Sequence, residues 1–297
     1  MAQAAEVSFR LRRPGPLTMT VAFLGKWPVL PGVILAGMAF MAIFAPFIAP
    51  HPPLKANLKE RNVPPVWYDQ GSWNHVLGAD VIGRDVLSRL IHGTRVSLMV
   101  VAVSMVSGTL VGTTLGLLSG YFGGLTDEVI TRIVDMWMGI PFILLAMVIA
   151  VVVGASLKTM MILLALAAWT PFVRQVRAQV LSLKTRDYVS LARVAGASDL
   201  RILLRHILPE VMGLIMVIAS LHVGGLILTE AFLSFLGAGI PPPTPTWGVM
   251  IAEGREYLRD AWWISFFPGV AICLTVTSLN FLGDWVRDYL DPRLRQL

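Results

Sequence analysis

Residues 187–209 read DYVSLARVAGASDLRILLRHILP, and the reading of this stretch decides the fold. Tyr188, Leu191, Ala192 and Ala195 recur at i, i+3, i+4 and i+7, and so do Leu200, Leu203, Leu204 and Ile207. That spacing predicts two short amphipathic helices. Gly196 stands between them, as a residue able to take a positive φ at a helix C-terminus. Ser198 is placed to cap the second helix, and Pro209 to open the helix that follows, where its missing N–H costs little. A charged linker needs no paired apolar stripes. An apolar stripe in a basic, polar segment wants a partner surface, so the stretch reads as a docking element.

The flanks of this element are far too apolar for a soluble protein. Of 297 residues 56% are hydrophobic and 14% charged, and the mean hydropathy is +0.71. Counted without Tyr and with the 26 Gly, the apolar share is roughly 63%, against about 45–50% in soluble domains. Soluble enzymes and nucleic-acid-binding modules are excluded, so the net charge of +6 reads as basic loops beside a membrane. One cysteine, Cys273, excludes a disulfide framework. A membrane-crossing helix needs about 20 mostly apolar residues. Six stretches qualify: Pro28–Ala49, Val96–Leu118, Ile133–Val153 (interrupted by Gly139-Ile140-Pro141), Thr159–Val176, Pro209–Leu236 and Trp263–Trp285. The third and fourth, joined by Gly154–Lys158, predict a tight hairpin. The first run is longer than a signal-peptide core and lacks a small-x-small cleavage site, so it reads as a span.

Lys and Arg set the orientation. With the N-terminus inside, the inner segments hold fifteen of the 24, including Arg10, Arg12, Arg13, Lys26, Arg132, Arg193, Arg293 and Arg295. The nine outer ones include six in the long loop before the second span. An N-in, C-in arrangement follows. The expected organisation is an inner tail (1–27), the first span (28–49), an outer loop (50–95), a five-helix core (96–285) containing the inner loop 179–208, and an inner tail (286–297).

Within the outer loop, Gly78 and Gly83 bracket Asp80, and Arg84-Asp85 follows. Two glycines with acidic residues suit a turn before a helix, with Asp85 near the helix's positive end. Val86, Leu87, Leu90 and Ile91 then predict a short helix lying on the outer membrane surface. Ser104, Gly108, Gly112, Gly116 and Gly120 repeat every fourth residue, which strips one helix face for close approach of a neighbour. Glu230 is the acidic residue well inside a span; it reads as either a hydrogen-bonded structural partner or a pathway group. His222 precedes it by eight residues, about 80° away around the helix, which argues against a direct proton relay. The five histidines show no metal-ligand spacing, so no metal site is expected. Neither a Walker A sequence nor a G-x-S-x-G elbow is present, so no hydrolysis is expected of this chain. An ion-coupled transporter would call for more intramembrane charge than Glu230 and His222.

The 187–209 stretch resembles the cytoplasmic coupling loop, the EAA motif, of permeases in ATP-binding-cassette importers. Ala192, Gly196, Leu208 and Pro209 stand in register, while Ser190 and Leu191 occupy the places of the motif's Glu and Ala. Further runs are similar to the C-type permease subunit of dipeptide, oligopeptide and nickel importers. They are Leu77–Asp80, Gly83–Arg89, Gly120–Gly124 with Asp127, Thr229–Gly237, Pro242–Gly248, and Phe281–Trp285 with Asp288 and Asp291–Arg293. The resemblance implies an all-α integral-membrane protein of the type I importer fold, in a bacterial or archaeal cytoplasmic membrane. It implies a second permease subunit, two cytoplasmic ATP-binding subunits, an extracytoplasmic binding protein and no cofactor. Tyr188, Ser190, Leu191, Ala192, Gly196, Ala197, Leu200, Leu208 and Pro209 are then the residues expected to couple to the ATPases. Dipeptides or oligopeptides are the expected substrates, with nickel or glutathione as the alternative.

Overall fold

The computed structural model describes residues 28–290, which contain helices and no strand. The tail 1–27 with its basic residues, and Asp291-Pro292-Arg293 with Arg295, lie outside the described residues. The helices are α1 (Val29–Ile48), α2 (Val86–Phe122), α3 (Gly124–Met138), α4 (Phe142–Val153), α5 (Leu157–Leu183), α6 (Asp187–Val194), α7 (Asp199–Ile202), α8 (Leu208–Phe235), α9 (Trp247–Gly254) and α10 (Trp263–Leu290). Five of them (α1, α2, α5, α8 with the turns before it, and α10) are long and apolar enough to cross a membrane singly. The bent pair α3–α4 makes a sixth.

The second span is longer at both ends than its apolar run. Asp85 caps α2 by accepting from the Ser88 amide at 2.8 Å, so the helix starts within the 50–95 loop. The short surface helix expected at Val86–Ile91 is therefore the first turns of α2. Two of its apolar residues, Val86 and Ile91, are buried, and Val86 packs with Met250, Ala261, Trp263 and Ile264. Arg89 is fully buried on the same helix.

The third span is broken. Pro141 has no N–H to donate and disfavours helical geometry in the residue before it. α3 and α4 meet there at 85°. Ser156 then caps α5 through the Thr159 amide at 3.1 Å, closing the α4–α5 connection.

Of the five single-helix spans α5 is the most enclosed and α1 the least, with Phe40, Phe44 and Phe47 exposed along it. The glycine stripe of α2 lies directly on α5. A Cβ on Gly112 would stand 2.3 Å from the Trp169 carbonyl oxygen, and one on Gly108 would stand 2.5 Å from the Ala168 Cβ. Gly116 and Gly120 meet Val176 and Val180 in the same way. At the start of the stripe, Ser104 Oγ donates to the Met161 carbonyl at 3.0 Å, crossing the two helices.

The second short helix expected after Gly196 is not separate. α7 is one turn, followed by a π-helical turn, Leu203–Ile207, that runs on into α8. Pro209 explains the widening. It donates no backbone bond, its ring would strike the carbonyl four residues back, and the Leu208 amide reaches Leu203 instead. At the other end of the chain the helix continues to Leu290, so the expected tail 286–297 begins inside α10.

Candidate functional site

The 187–209 segment sits at one end of the bundle, held by a turn whose bonds can be followed one by one. Gly196 has φ +81°. Its amide donates to the Arg193 carbonyl at 3.0 Å, and the Ala197 amide to the Ala192 carbonyl at 3.0 Å. This is the Schellman arrangement that stops a helix and turns the chain. Val189, Ile202, Leu203 and Ile207 are buried beneath it, with Tyr188, Ala192, Ala197 and Leu208 half-buried alongside. Tyr121, from the Gly120–Gly124 run, donates its hydroxyl to Asp199 at 2.6 Å and pins the start of α7 to the end of α2. Arg193 donates to the same hydroxyl at 3.4 Å.

With that face fixed, four further apolar residues stay exposed, two on α6 and two on α7 and the π turn after it, where Leu200 and Leu204 line an apolar groove with Leu110 and Thr114 of α2 and Met212 of α8. Leu191 is 67% exposed, Val194 87%, Leu200 66% and Leu204 54%. Ser190, Gly196 and Pro209 are exposed beside them. The stripes read from the sequence thus divide between buried or half-buried and exposed positions, and in the second the π turn at Leu203–Ile207 also shifts the helical phase. Val194 was missed, being out of step with the assumed repeat. Nearby, Asp127 accepts both arms of the Arg177 guanidinium, at 2.5 and 2.6 Å, and so ties α3 to α5. Lys184 caps the end of α2 by donating to the Gly120 carbonyl at 2.8 Å.

The opposite end is closed by the 50–85 loop and α9. Asp80 is fully buried and accepts from Arg84 Nε and Arg89 Nη1, both at 2.6 Å. Glu253 on α9 receives the same two arginines, at 2.9 and 2.6 Å. Two cations and two carboxylates therefore balance in one buried cluster, although Nε and Nη2 of Arg89 make no hydrogen bond. Gly78 and Gly83 both have positive φ, and the Gly83 Cα passes so close to Asn57 that a Cβ would fall 1.8 Å from its carbonyl oxygen. Asp85, besides capping α2, faces His75 Nδ1 at 3.0 Å, and His75 Nε2 faces Glu60 at 3.2 Å. Hydrogen bonds from His75 and Asn57 hold the Glu60 carboxyl below its ordinary range.

Glu230 lies near this end and is fully enclosed. Its oxygens accept from Ser234 at 3.0 Å and Ser97 at 3.3 Å, and Ser97 Oγ also accepts from the Trp247 amide at 3.4 Å. It joins α8, α2 and the start of α9. His222 is half-buried on α8, two turns away.

A helical bundle of membrane-crossing length, closed at one end by a folded cap and exposing apolar residues at the other, has the architecture of an integral-membrane protein. The chain matches the model of binding-protein-dependent transport system inner membrane components over residues 112–296, and that of the N-terminal membrane domain of oligopeptide transport permease C over residues 26–65. It belongs to the binding-protein-dependent transport system inner membrane component family. It is 40% identical to the di/tripeptide transport system permease protein DppC of Pseudomonas aeruginosa over 87% of this chain and 85% of that one. It is 43% identical to the dipeptide permease DppC of Escherichia coli K12 over 91% and 90% of the two chains. Among solved structures, the methionine importer MetNI in an inward-facing conformation superposes with a TM-score of 0.55 at 22% identity, covering 68% of this chain and 96% of that one. That likeness shows the shared type I fold.

Proposed function

We propose that this permease takes up dipeptides or short oligopeptides, as one half of a heterodimeric path in a bacterial or archaeal cytoplasmic membrane. A related second permease completes the path, and an extracytoplasmic binding protein delivers substrate to the 50–85 and α9 end. Two ATP-binding subunits dock on the 187–209 segment. Both termini lie inside, in keeping with the excess of Lys and Arg in the segments at that end. Support for the substrate class comes from relatives named for dipeptide transport.

The observation that carries this reading is the exposed apolar set Leu191, Val194, Leu200 and Leu204, mounted on a turn with fixed geometry. ATP binding closes the ATPase pair. A rigidly mounted loop converts that closure into motion of α8, with which it is continuous, and of α2, to which Tyr121 ties it. The bundle then rocks between inward- and outward-open states. The test is uptake of labelled dipeptides by a deletion strain carrying the wild-type or the Leu191→Asp chain. A charge on the docking face should abolish uptake and weaken co-purification of the ATPase subunits, while membrane insertion stays normal. Full uptake and full retention in Leu191→Asp would overturn the docking role.

A further inference from the structure

Three side chains with metal-ligating atoms meet on the outer cap, from parts of the chain far apart in sequence. His51 follows α1, His75 lies in the outer loop, and Asp85 is the cap of α2. A ligand atom from each lies within 4.8 Å of the other two. His75 Nδ1 is 3.0 Å from Asp85 Oδ1, and His51 Nδ1 is 3.9 Å from Asp85 Oδ2. Ligands at about 2.0–2.2 Å around one tetrahedral zinc ion stand about 3.3 Å from each other. The His75 separation falls below that figure and the His51 distance, to the other Asp85 oxygen, above it, and with the three ligand atoms all within 4.8 Å of one another side-chain rotations close the set.

We infer that His51 Nδ1, His75 Nδ1 and the Asp85 carboxylate form a binding site for a divalent transition metal of the zinc class. Independently of the cluster's geometry, the His51 Nδ1 atom is buried and makes no hydrogen bond. A buried ring nitrogen without a partner is a lone pair or a proton left unsatisfied, and a shared cation resolves it. The surrounding groups are those that support metal ligands. His75 Nε2 faces Glu60 at 3.2 Å, and in the tautomer that donates there Nδ1 keeps its lone pair for the ion. Ser88 holds Asp85 Oδ2 through its amide at 2.8 Å and its hydroxyl at 2.6 Å, leaving Oδ1 for coordination. The His51 amide donates to the same hydroxyl at 3.0 Å, fixing that residue's backbone.

The charges agree as well. Two neutral imidazoles, the Asp85 and Glu60 carboxylates and a divalent ion sum to zero. A cavity of about 240 Å³ opens beside the three ligands, with room for water in a fourth position. Lys55 also lines it, which disfavours ions attracted by charge alone. Two imidazoles select a borderline metal over Mg²⁺ or Ca²⁺, which take oxygen ligands. A bound ion would fasten the end of the first span, the middle of the outer loop and the start of α2 at one point.

The test uses the assembled importer, purified on a tag without histidine, and compares metal content and thermal stability with and without added Zn²⁺ or Mg²⁺. His51→Ala is the informative variant, because the side chain makes no hydrogen bond and its loss leaves the fold intact, as subunit co-purification verifies. The wild-type complex should hold one more zinc per copy of this chain than His51→Ala and should gain thermal stability from Zn²⁺ alone. His75→Ala should also lose the ion. Glu60→Gln should keep the stoichiometry with roughly 10–100-fold weaker affinity. Equal zinc content and equal thermal response in the wild type and His51→Ala, or an equal response to Mg²⁺, would overturn the site.

Discussion

Gly196 combines a φ of +81° with open space where a Cβ would project. Substitution there is opposed by backbone conformation and not by a clash. An L-residue in this region costs about 1–2 kcal/mol, more when β-branched. Gly196→Val should tilt α6 against α7, leave the spans inserted, and reduce substrate-stimulated ATP hydrolysis in reconstituted membranes to its basal rate. Gly196→Ala should fall between the two. Glu230 is opposite in kind, since its constraint is the set of donors around a fully enclosed carboxylate. Glu230→Gln keeps an acceptor for Ser97 and Ser234, whereas Glu230→Leu strands both, at about 1–3 kcal/mol per unpaired group. Assembly yield and melting temperature of the two variants should therefore rank Gln above Leu; equal, complete loss of transport with normal assembly would assign the charge itself to the pathway. The turn at Gly196 was legible in the sequence because a helix stop is local chemistry. The gathering of His51, His75 and Asp85 was not, because it depends on how the outer loop folds back over α2.

Elements show the same division. Hydropathy locates the spans, since burial in lipid leaves a continuous apolar run. It misplaces the ends of α2, where Arg89 and the Asp85 cap continue the helix into a cap that satisfies them with protein groups instead of water. It also marks the Pro141 interruption but not the 85° bend, which the packing of α3 and α4 decides. The spacing of the glycine stripe does announce a close helix contact, and the structure supplies its partner in α5. Gly112→Ala should lower stability by about 1–3 kcal/mol through overpacking against Trp169, while Gly213→Ala, with nothing within 4 Å of the added atom, should be silent. Thermal unfolding of the two variants in detergent makes the comparison. In the outer cap, Asp80→Asn removes the carboxylate shared by two buried guanidinium groups and should cost about 3–5 kcal/mol by the same assay.

At the scale of the whole molecule, chemistry separates the two ends of the bundle. The buried ionic cluster and α9 occupy one end, and the Asp127–Arg177 pair with the 187–209 segment occupies the other. Orientation is testable with single cysteines in a Cys273→Ser background. A cysteine at the exposed position of Trp67 should react with an impermeant maleimide in intact cells, and one at Arg193 only after permeabilisation. The reverse pattern would invert the topology. α2 belongs to both ends: its 37 residues span about 55 Å, against a hydrocarbon layer of about 30 Å. One uninterrupted hydrogen-bonded rod therefore begins at the Asp85 cap and finishes at Phe122. Its glycines let it lie directly on α5, with Val176 and Val180 seated against Gly116 and Gly120 and Ser104 bonded across to Met161. Two helices seated this closely form one stiff strut, and since close-packed interiors transmit strain, a push on either end of it would be felt at the other.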